Sequence, residues 1–283
     1  MNPARHLFLV TLLLSARALA DVSLPEIEDV DLLAIDKPLK TLLDQRLSGI
    51  RTKKEKTTAL HALLFSSYEQ NIIYDFSTTL TAQETYEQKR GNCLSQAALF
   101  VAAARYLGLK AEFQSVKTYA NWERQEGFYL VPEHLNASVK LPGRRRATIE
   151  FLSPEIHERA KTKTRKVSDL QVLADYYNNK GVEALSLSDT RLALAYFLKS
   201  VNTRSRSAYA WSNVGTAYKL LGEYEQAEAA FLKAYRLDKR DKSIVLNLYA
   251  FYRERGEEDK ARHYFSRLEK YQKALNKHLP EDK

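Results

Sequence analysis

The chain has 283 residues, 45% of them hydrophobic, and 44 Lys and Arg against 35 Asp and Glu give a formal charge of +9. That length leaves room for two domains with cores of their own, and a moderate basic excess suits anionic partners without naming one. A single cysteine, Cys93, excludes any disulfide within the chain.

In chain order, residues 1–20 read as a secretory signal peptide. Arg5 gives a basic start, Leu7 to Leu14 an apolar run, and Ala18-Leu19-Ala20 a small-x-small cleavage site before Asp21. The mature protein is therefore expected to be exported, soluble and periplasmic. No other apolar run approaches the ~20 residues that a membrane-spanning helix needs. Residues 21–36 are acidic, and amphipathic periodicity predicts helices over about 38–48 and 54–68. The first of these belongs to an N-terminal helical extension, residues 21–54. Further on, Thr81 with Glu84 three residues later forms a capping-box pattern, which predicts a short helix over about 82–88.

A Gly91-Asn92 turn then leads into a helix that Asn92 can cap. Leu94, Ala97, Ala98, Phe100, Val101 and Ala104 make it apolar on most sides, so it is expected to be buried, and Gly108 ends it. Beyond Gly108 the pattern alternates. "KAEFQSVKTY" and "EGFYLV" read as strands and "EHLNASVKLPGRRRATIEFLS" as a hairpin, so the region is α+β in class. With a three-residue turn at Leu141-Pro142-Gly143, Lys140 faces Arg144 and His134 faces Glu150. His134, Asn136, Ser138, Arg146, Thr148 and Glu150 then share a polar face. Leu135, Ala137, Val139, Ala147, Ile149 and Phe151 share the apolar face expected to meet the core. A loop one residue shorter or longer makes His134 and Glu150 diagonal neighbours instead.

These residues suggest a chemistry. A thiol nucleophile must ionise near neutral pH, and the free N–H groups of a helix start favour its charged form. An imidazole can pair with the thiolate and later protonate a leaving group, and a carboxylate on its far nitrogen fixes its orientation. Cys93, His134 and Glu150 supply those groups in that order. Taken alone, a lone helical cysteine serves equally well as a small core side chain.

The segments "RGNCLSQAALFVAAARYLGLKAEF", "HLNASVKL" and "ATIEFLSPE" resemble the core of the transglutaminase-like superfamily. Gly91, Cys93, Ala97, Gly108, His134 and Glu150 fill its motif places, over about residues 55–155. The resemblance implies a papain-like α+β domain. It also implies a cysteine acyl-transfer enzyme, a protease or amidase, in which Cys93 attacks an amide, His134 is the acid and base, and Glu150 stands where the family usually has aspartate. Asp75 is a more distant candidate for the carboxylate. The backbone N–H of Cys93 is an expected oxyanion donor, with Gln70 or Trp122 as a second.

Residues 156–170 read as a basic linker. After it, Gly181 and Gly215 lie 34 apart, as do Ala193, Ala227 and Ala261, and Phe197, Phe231 and Phe265. This helix-turn-helix period resembles the tetratricopeptide repeat, in three units of about 174–207, 208–241 and 242–275, with a tail at 276–283. Tyr249 replaces the small residue of the third unit. The whole is expected to be an α+β transglutaminase-like domain followed by an all-α solenoid. Such repeats imply a groove for a protein or peptide partner, with Asn178, Asn213, Lys219 and Asn247 as candidate groove residues. An anionic cell-envelope component is a further candidate partner. The competing expectation is an inactive scaffold that organises an envelope complex. No metal or cofactor is expected, because His61, His157, His263 and His278 lack ligand spacing and there is no glycine-rich phosphate loop. "GRRR" lacks the interleaved aromatics of a nucleic-acid reader.

Overall fold

The computed structural model describes residues 24–117, 124–125, 128–129, 133–151 and 163–276. The expected signal peptide and Trp122 lie outside them. Residues 24–36 form no regular element, yet Leu32 is buried and Ile27, Val30, Leu33 and Ile35 pack on the core. Asp36 accepts from Leu39 N–H and so starts α1 (Lys37–Leu47), whose Leu39, Leu43 and Leu47 recur every fourth residue and face inward. Thr52 caps α2 (Lys53–Phe65), which buries Leu60, Leu63 and Leu64. Both helices share one apolar cluster with the cysteine-bearing helix, so the segment expected as an extension helps to enclose the core.

A two-residue strand β1 (Ile73–Tyr74) runs parallel to β2 (Arg90–Gly91), on either side of α3 (Ala82–Gln88). The capping box of α3 forms as expected: Glu84 N–H donates to Thr81 Oγ1, and Thr81 N–H donates to Glu84 Oε2 at 2.8 Å. Helix α4 (Cys93–Tyr106) follows, capped by Asn92, which accepts from Ser95 N–H at 3.1 Å. Residues 94–104 of α4 are all buried. Each large apolar side chain removed from water there contributes about 1.5–3 kcal/mol.

The sheet is antiparallel, in the order β7 (Arg146–Ile149), β6 (Glu133–Lys140), β3 (Ala111–Lys117), β8 (Lys163–Val167). Two expectations are corrected here. First, the hairpin turn is three residues long but sits one place later. Leu141 N–H donates to Arg145 O, Lys140 faces Arg146, and Gly143 and Arg144 both take positive φ (69° and 64°). The register therefore slips by two, which preserves faces because strand side chains alternate with period two. Second, the end of the stretch read as a basic linker is the edge strand β8. Long cationic side chains at an edge discourage further pairing, and Lys166 joins Arg146 in bonding Glu112. Within "EGFYLV", the described strand is β5 (Phe128–Tyr129), which pairs with β4 (Arg124–Gln125) rather than with the four-stranded sheet. Strand β6 buries both faces, His134, Asn136 and Ser138 as well as Leu135, Ala137 and Val139.

The helices α5 (Asp169–Ser186) and α6 (Thr190–Thr203), α7 (Ala208–Leu220) and α8 (Tyr224–Leu237), and α9 (Lys242–Glu254) and α10 (Glu258–Asn276) form three antiparallel pairs. The glycines allow their closest approaches. A Cβ on Gly181 would lie 2.5 Å from Phe197 Cε1, and one on Gly215 2.7 Å from Phe231 Cδ1. In the third pair the Tyr249 and Phe265 rings pack at 5.5 Å, and Phe265 is left 45% exposed. Helix α5 also belongs to the first module. Its Val172, Tyr176 and Tyr177 are part of the core that holds α4. Tyr177 Oη accepts from Val30 N–H and donates to Glu28 O, and Arg105 bonds Asp169 through two nitrogens.

Candidate active site

Cys93 is the first residue of α4, partly accessible at the end of a helix whose next eleven residues are buried. Its placement is set by Asn92, whose Nδ2 also donates to Thr79 Oγ1 at 2.8 Å. Gly91 is required by space, since a Cβ there would come within 2.5 Å of Ser95 Cβ. Ser95 in turn is fixed by accepting Leu80 N–H at 2.7 Å.

His134 enters from β6 and is buried, at 7% exposure. Its Nε2 meets Glu150 Oε1, so its interaction with Cys93 falls to Nδ1. Burial alone would lower the imidazole pKa. Hydrogen bonding with Cys93 and Glu150, and the charges of both, outweigh it and lift the pKa to about 9. The ring is then imidazolium at neutral pH, the form that stabilises a thiolate and can protonate a leaving amine. Glu150 follows β7, and its Oε1 also accepts Phe151 N–H at 2.9 Å. Asn136 Nδ2 lies 3.4 Å from Oε2. The observed register, continued one step past β7, sets Asn136 opposite Glu150 and makes His134 its diagonal neighbour. The longer arm of glutamate suits that diagonal.

Other expected residues fall elsewhere. Gln70 Oε1 accepts from Lys89 Nζ at 2.6 Å and does not line the cavity at Cys93. Asp75 is occupied by Ser77 and Thr78, with Arg90 at 3.5 Å. Its carboxyl sits below the usual range mainly through those hydroxyl bonds. Tyr74 was not anticipated. The β1–β2 ladder sets it opposite Gly91, two residues before Cys93, and its phenol interacts with both the thiol and the backbone N–H of Cys93. Burial, then the Cys93 charge, pushes that phenol up to about 12, so it remains a hydroxyl donor. The apolar run Ile72-Ile73-Tyr74 ahead of the glycine turn is the sequence signal that could have found it.

Cys93 and His134 open into a cavity of about 260 Å³ whose far wall carries Asn178, Asn213 and Asn247 of the repeats. Lys219 does not line it and pairs with Glu254 at 2.9 Å.

Residues 40–148 match the family model described as the transglutaminase-like superfamily core. The chain carries a transglutaminase-like core. Residues 208–241 match the tetratricopeptide repeat, so the fold is an α+β transglutaminase-like domain followed by an all-α repeat solenoid. The uncharacterized protein MJ0572 of Methanocaldococcus jannaschii is 36% identical over 66 residues, which span 23% of this chain and 77% of that protein. The crystal structure of MamA is similar at 18% identity and a TM-score of 0.35, covering 38% of this chain and 68% of that one. Two solved structures are named as putative proteases. The one from Parabacteroides distasonis is 13% identical, with a TM-score of 0.34, over 46% of this chain and 26% of its own. The one from Cytophaga hutchinsonii, named as a cysteine protease, is 15% identical, with a TM-score of 0.33, over 51% of this chain and 57% of its own. Among the described residues, no helix of the transglutaminase-like chain is long and apolar enough to cross a membrane.

Proposed function

We propose that the protein is a cysteine acyl-transfer enzyme that hydrolyses amide bonds through Cys93, His134 and Glu150. The observation that supports this is the meeting of a helix-start thiol with a buried imidazole whose other nitrogen is held by a carboxylate. The Cys93 thiolate attacks the amide carbonyl carbon, forming the C–S bond while the C=O electron pair moves to oxygen. The Cys93 N–H and the Tyr74 hydroxyl that meets it are the proposed donors to that oxygen. His134 gives its Nδ1 proton to the amine as the C–N bond breaks. Water then attacks the thioester, His134 takes a proton from it, and the thiolate leaves as the acid is released. Glu150 stays charged and holds the ring.

The test uses casein with and without dansylcadaverine. Hydrolysis yields new amino termini and little dansyl incorporation, and Cys93→Ser or His134→Ala abolishes it. Turnover that survives Cys93→Ser overturns the proposal, and predominant dansyl incorporation makes an amine the acceptor in place of water. No turnover, together with iodoacetamide labelling of Cys93 that His134→Ala leaves unchanged, makes the protein the scaffold considered above. The basic start, apolar run and Ala18-Leu19-Ala20 site extend the proposal to export into the periplasm. Fusion of residues 1–30 to alkaline phosphatase tests it, and an inactive fusion refutes it.

A further inference from the structure

We infer that the transglutaminase-like core and the repeats form one cleft for an extended, unfolded polypeptide, which lies across the repeat asparagines and reaches Cys93 at one end. This rests on the acyl-transfer proposal for the chemistry but not for the binding. The first observation is continuity. One cavity runs from Cys93 and His134 past Gln171 and Asp175 of α5 to Asn213 on α7 and Asn247 on α9. The repeats therefore wall the cavity that the thiol opens into.

The second observation is periodicity. Asn179, Asn213 and Asn247 recur at the 34-residue period, each on the first helix of its pair, and Asn178 stands one place before the first of them, where the second unit has Ser212. They form rungs. Asn213 Nδ2 donates to Asn178 Oδ1 at 2.9 Å, and Asn247 Nδ2 donates to Ser212 Oγ at 3.0 Å. Those bonds leave Asn213 Oδ1, Asn247 Oδ1 and the Asn178 amide protons for a ligand. Packed helices lie about 8–10 Å apart, so first to third rung is roughly 16–20 Å. An extended chain advances about 3.3 Å per residue and covers that distance in five or six residues.

The third observation is the chemistry of the lining. A carboxamide carries a donor and an acceptor, as a peptide unit does, and can pair with main chain whatever the side chains are. Among the described residues, no lysine or arginine lines the cavity, although the chain as a whole is basic. The acidic residue among those lining it, Asp175, accepts from the Tyr209 hydroxyl. A cleft lined mainly by amides and hydroxyls, with no described lysine or arginine, favours polypeptide backbone over the anionic component considered from composition. Recognition by main chain also selects segments without structure of their own, because folded backbone has already used its hydrogen-bonding groups.

The experiment uses the full chain and two randomised peptide pools with blocked ends, tetrapeptides and decapeptides. The ratio of kcat/KM, decapeptide over tetrapeptide, is expected to exceed about tenfold, with cleavage sites at least about five residues from one end. Losing one rung's neutral hydrogen bonds in Asn213→Ala should cut that ratio about three- to tenfold. Asn247→Ala, farther from the core, repeats the measurement if Asn213→Ala unfolds. A wild-type ratio near one, or a ratio that neither substitution moves, overturns the inference. Binding of a fluorescein-labelled decapeptide pool to the Cys93→Ser chain, followed by anisotropy, separates the two proposals. Binding weakened by the asparagine substitutions, with no wild-type turnover, keeps the cleft and refutes the chemistry. Turnover without length dependence keeps the chemistry and refutes the cleft.

Discussion

Glu150→Gln removes a charge from the site while nearly preserving the shape of the side chain that bears on His134. The carboxylate acts on Nε2 and the thiol on the other nitrogen, and together they raise the imidazole from 6.5 to about 9 against the effect of burial. A hydrogen bond to a charged group contributes about 1.5–3 kcal/mol. At about 1.4 kcal/mol per pH unit, its loss should bring the His134 midpoint down to about 7–8. The assay is a pH titration of the 15N-histidine-labelled chain by NMR, with His134 assigned by its absence from His134→Asn. A raised imidazole pKa stabilises the fold fully below 6.5, and that stability is lost as pH rises through about 9. Wild type should therefore exceed Glu150→Gln in unfolding free energy by most near about pH 6, with the gap closing by about pH 10. A variant midpoint still near 9 would show that Glu150 does not hold the ring. A wild-type midpoint below 7 would refute the charged pair altogether.

Tyr74→Phe keeps the ring and deletes the hydroxyl beside the Cys93 N–H. It should lower kcat by about 10²–10³ with little change in KM, and a variant at wild-type kcat would remove Tyr74 from the oxyanion site. Gly91→Ala drives a methyl against the buried Ser95. A loss of about 1–3 kcal/mol is expected by urea unfolding, together with slower alkylation of Cys93, and an unchanged midpoint would contradict the close approach. Gly215→Ala meets the Phe231 ring and should cost a similar 1–3 kcal/mol, read from the same unfolding curves. Asn92→Ala removes the cap of α4 and its bond to Thr79, so about 1–2 kcal/mol should be lost, and a stability within error of wild type would show that the cap contributes nothing.

The features legible in the sequence are those that local chemistry decides. Thr81 with Glu84, and Asn92 before an apolar run, mark helix starts because side-chain oxygens next to free N–H groups have few better partners. Gly181 with Phe197 and Gly215 with Phe231 are legible because a glycine beneath a ring leaves a repeat in the sequence. His134 and Glu150 were placed together by a register that proved wrong by two, and the pairing survived only because an even slip keeps faces. Contacts between segments distant in sequence were not legible. β8 is a cationic stretch whose strand character comes from β3, about fifty residues earlier, and its own pattern says linker. Tyr74 reaches Cys93 through a two-residue parallel ladder, so its short apolar run marks a strand without indicating the partner. Gln70 was lost to Lys89, and neither residue's neighbours in sequence indicate that bond.

Helix α5 is at once the first helix of the solenoid and a wall of the domain beside it. Cutting the chain ahead of it would uncover Val172 and Tyr177, which are 0% and 1% exposed, and leave the Glu28 and Val30 backbone without the Tyr177 hydroxyl. The repeats are thus no detachable adaptor that recombination could lift onto another protein unaltered. Folding binds the two parts at this helix, so a change in repeat number that spares the domain core has to fall beyond it, farther along the solenoid.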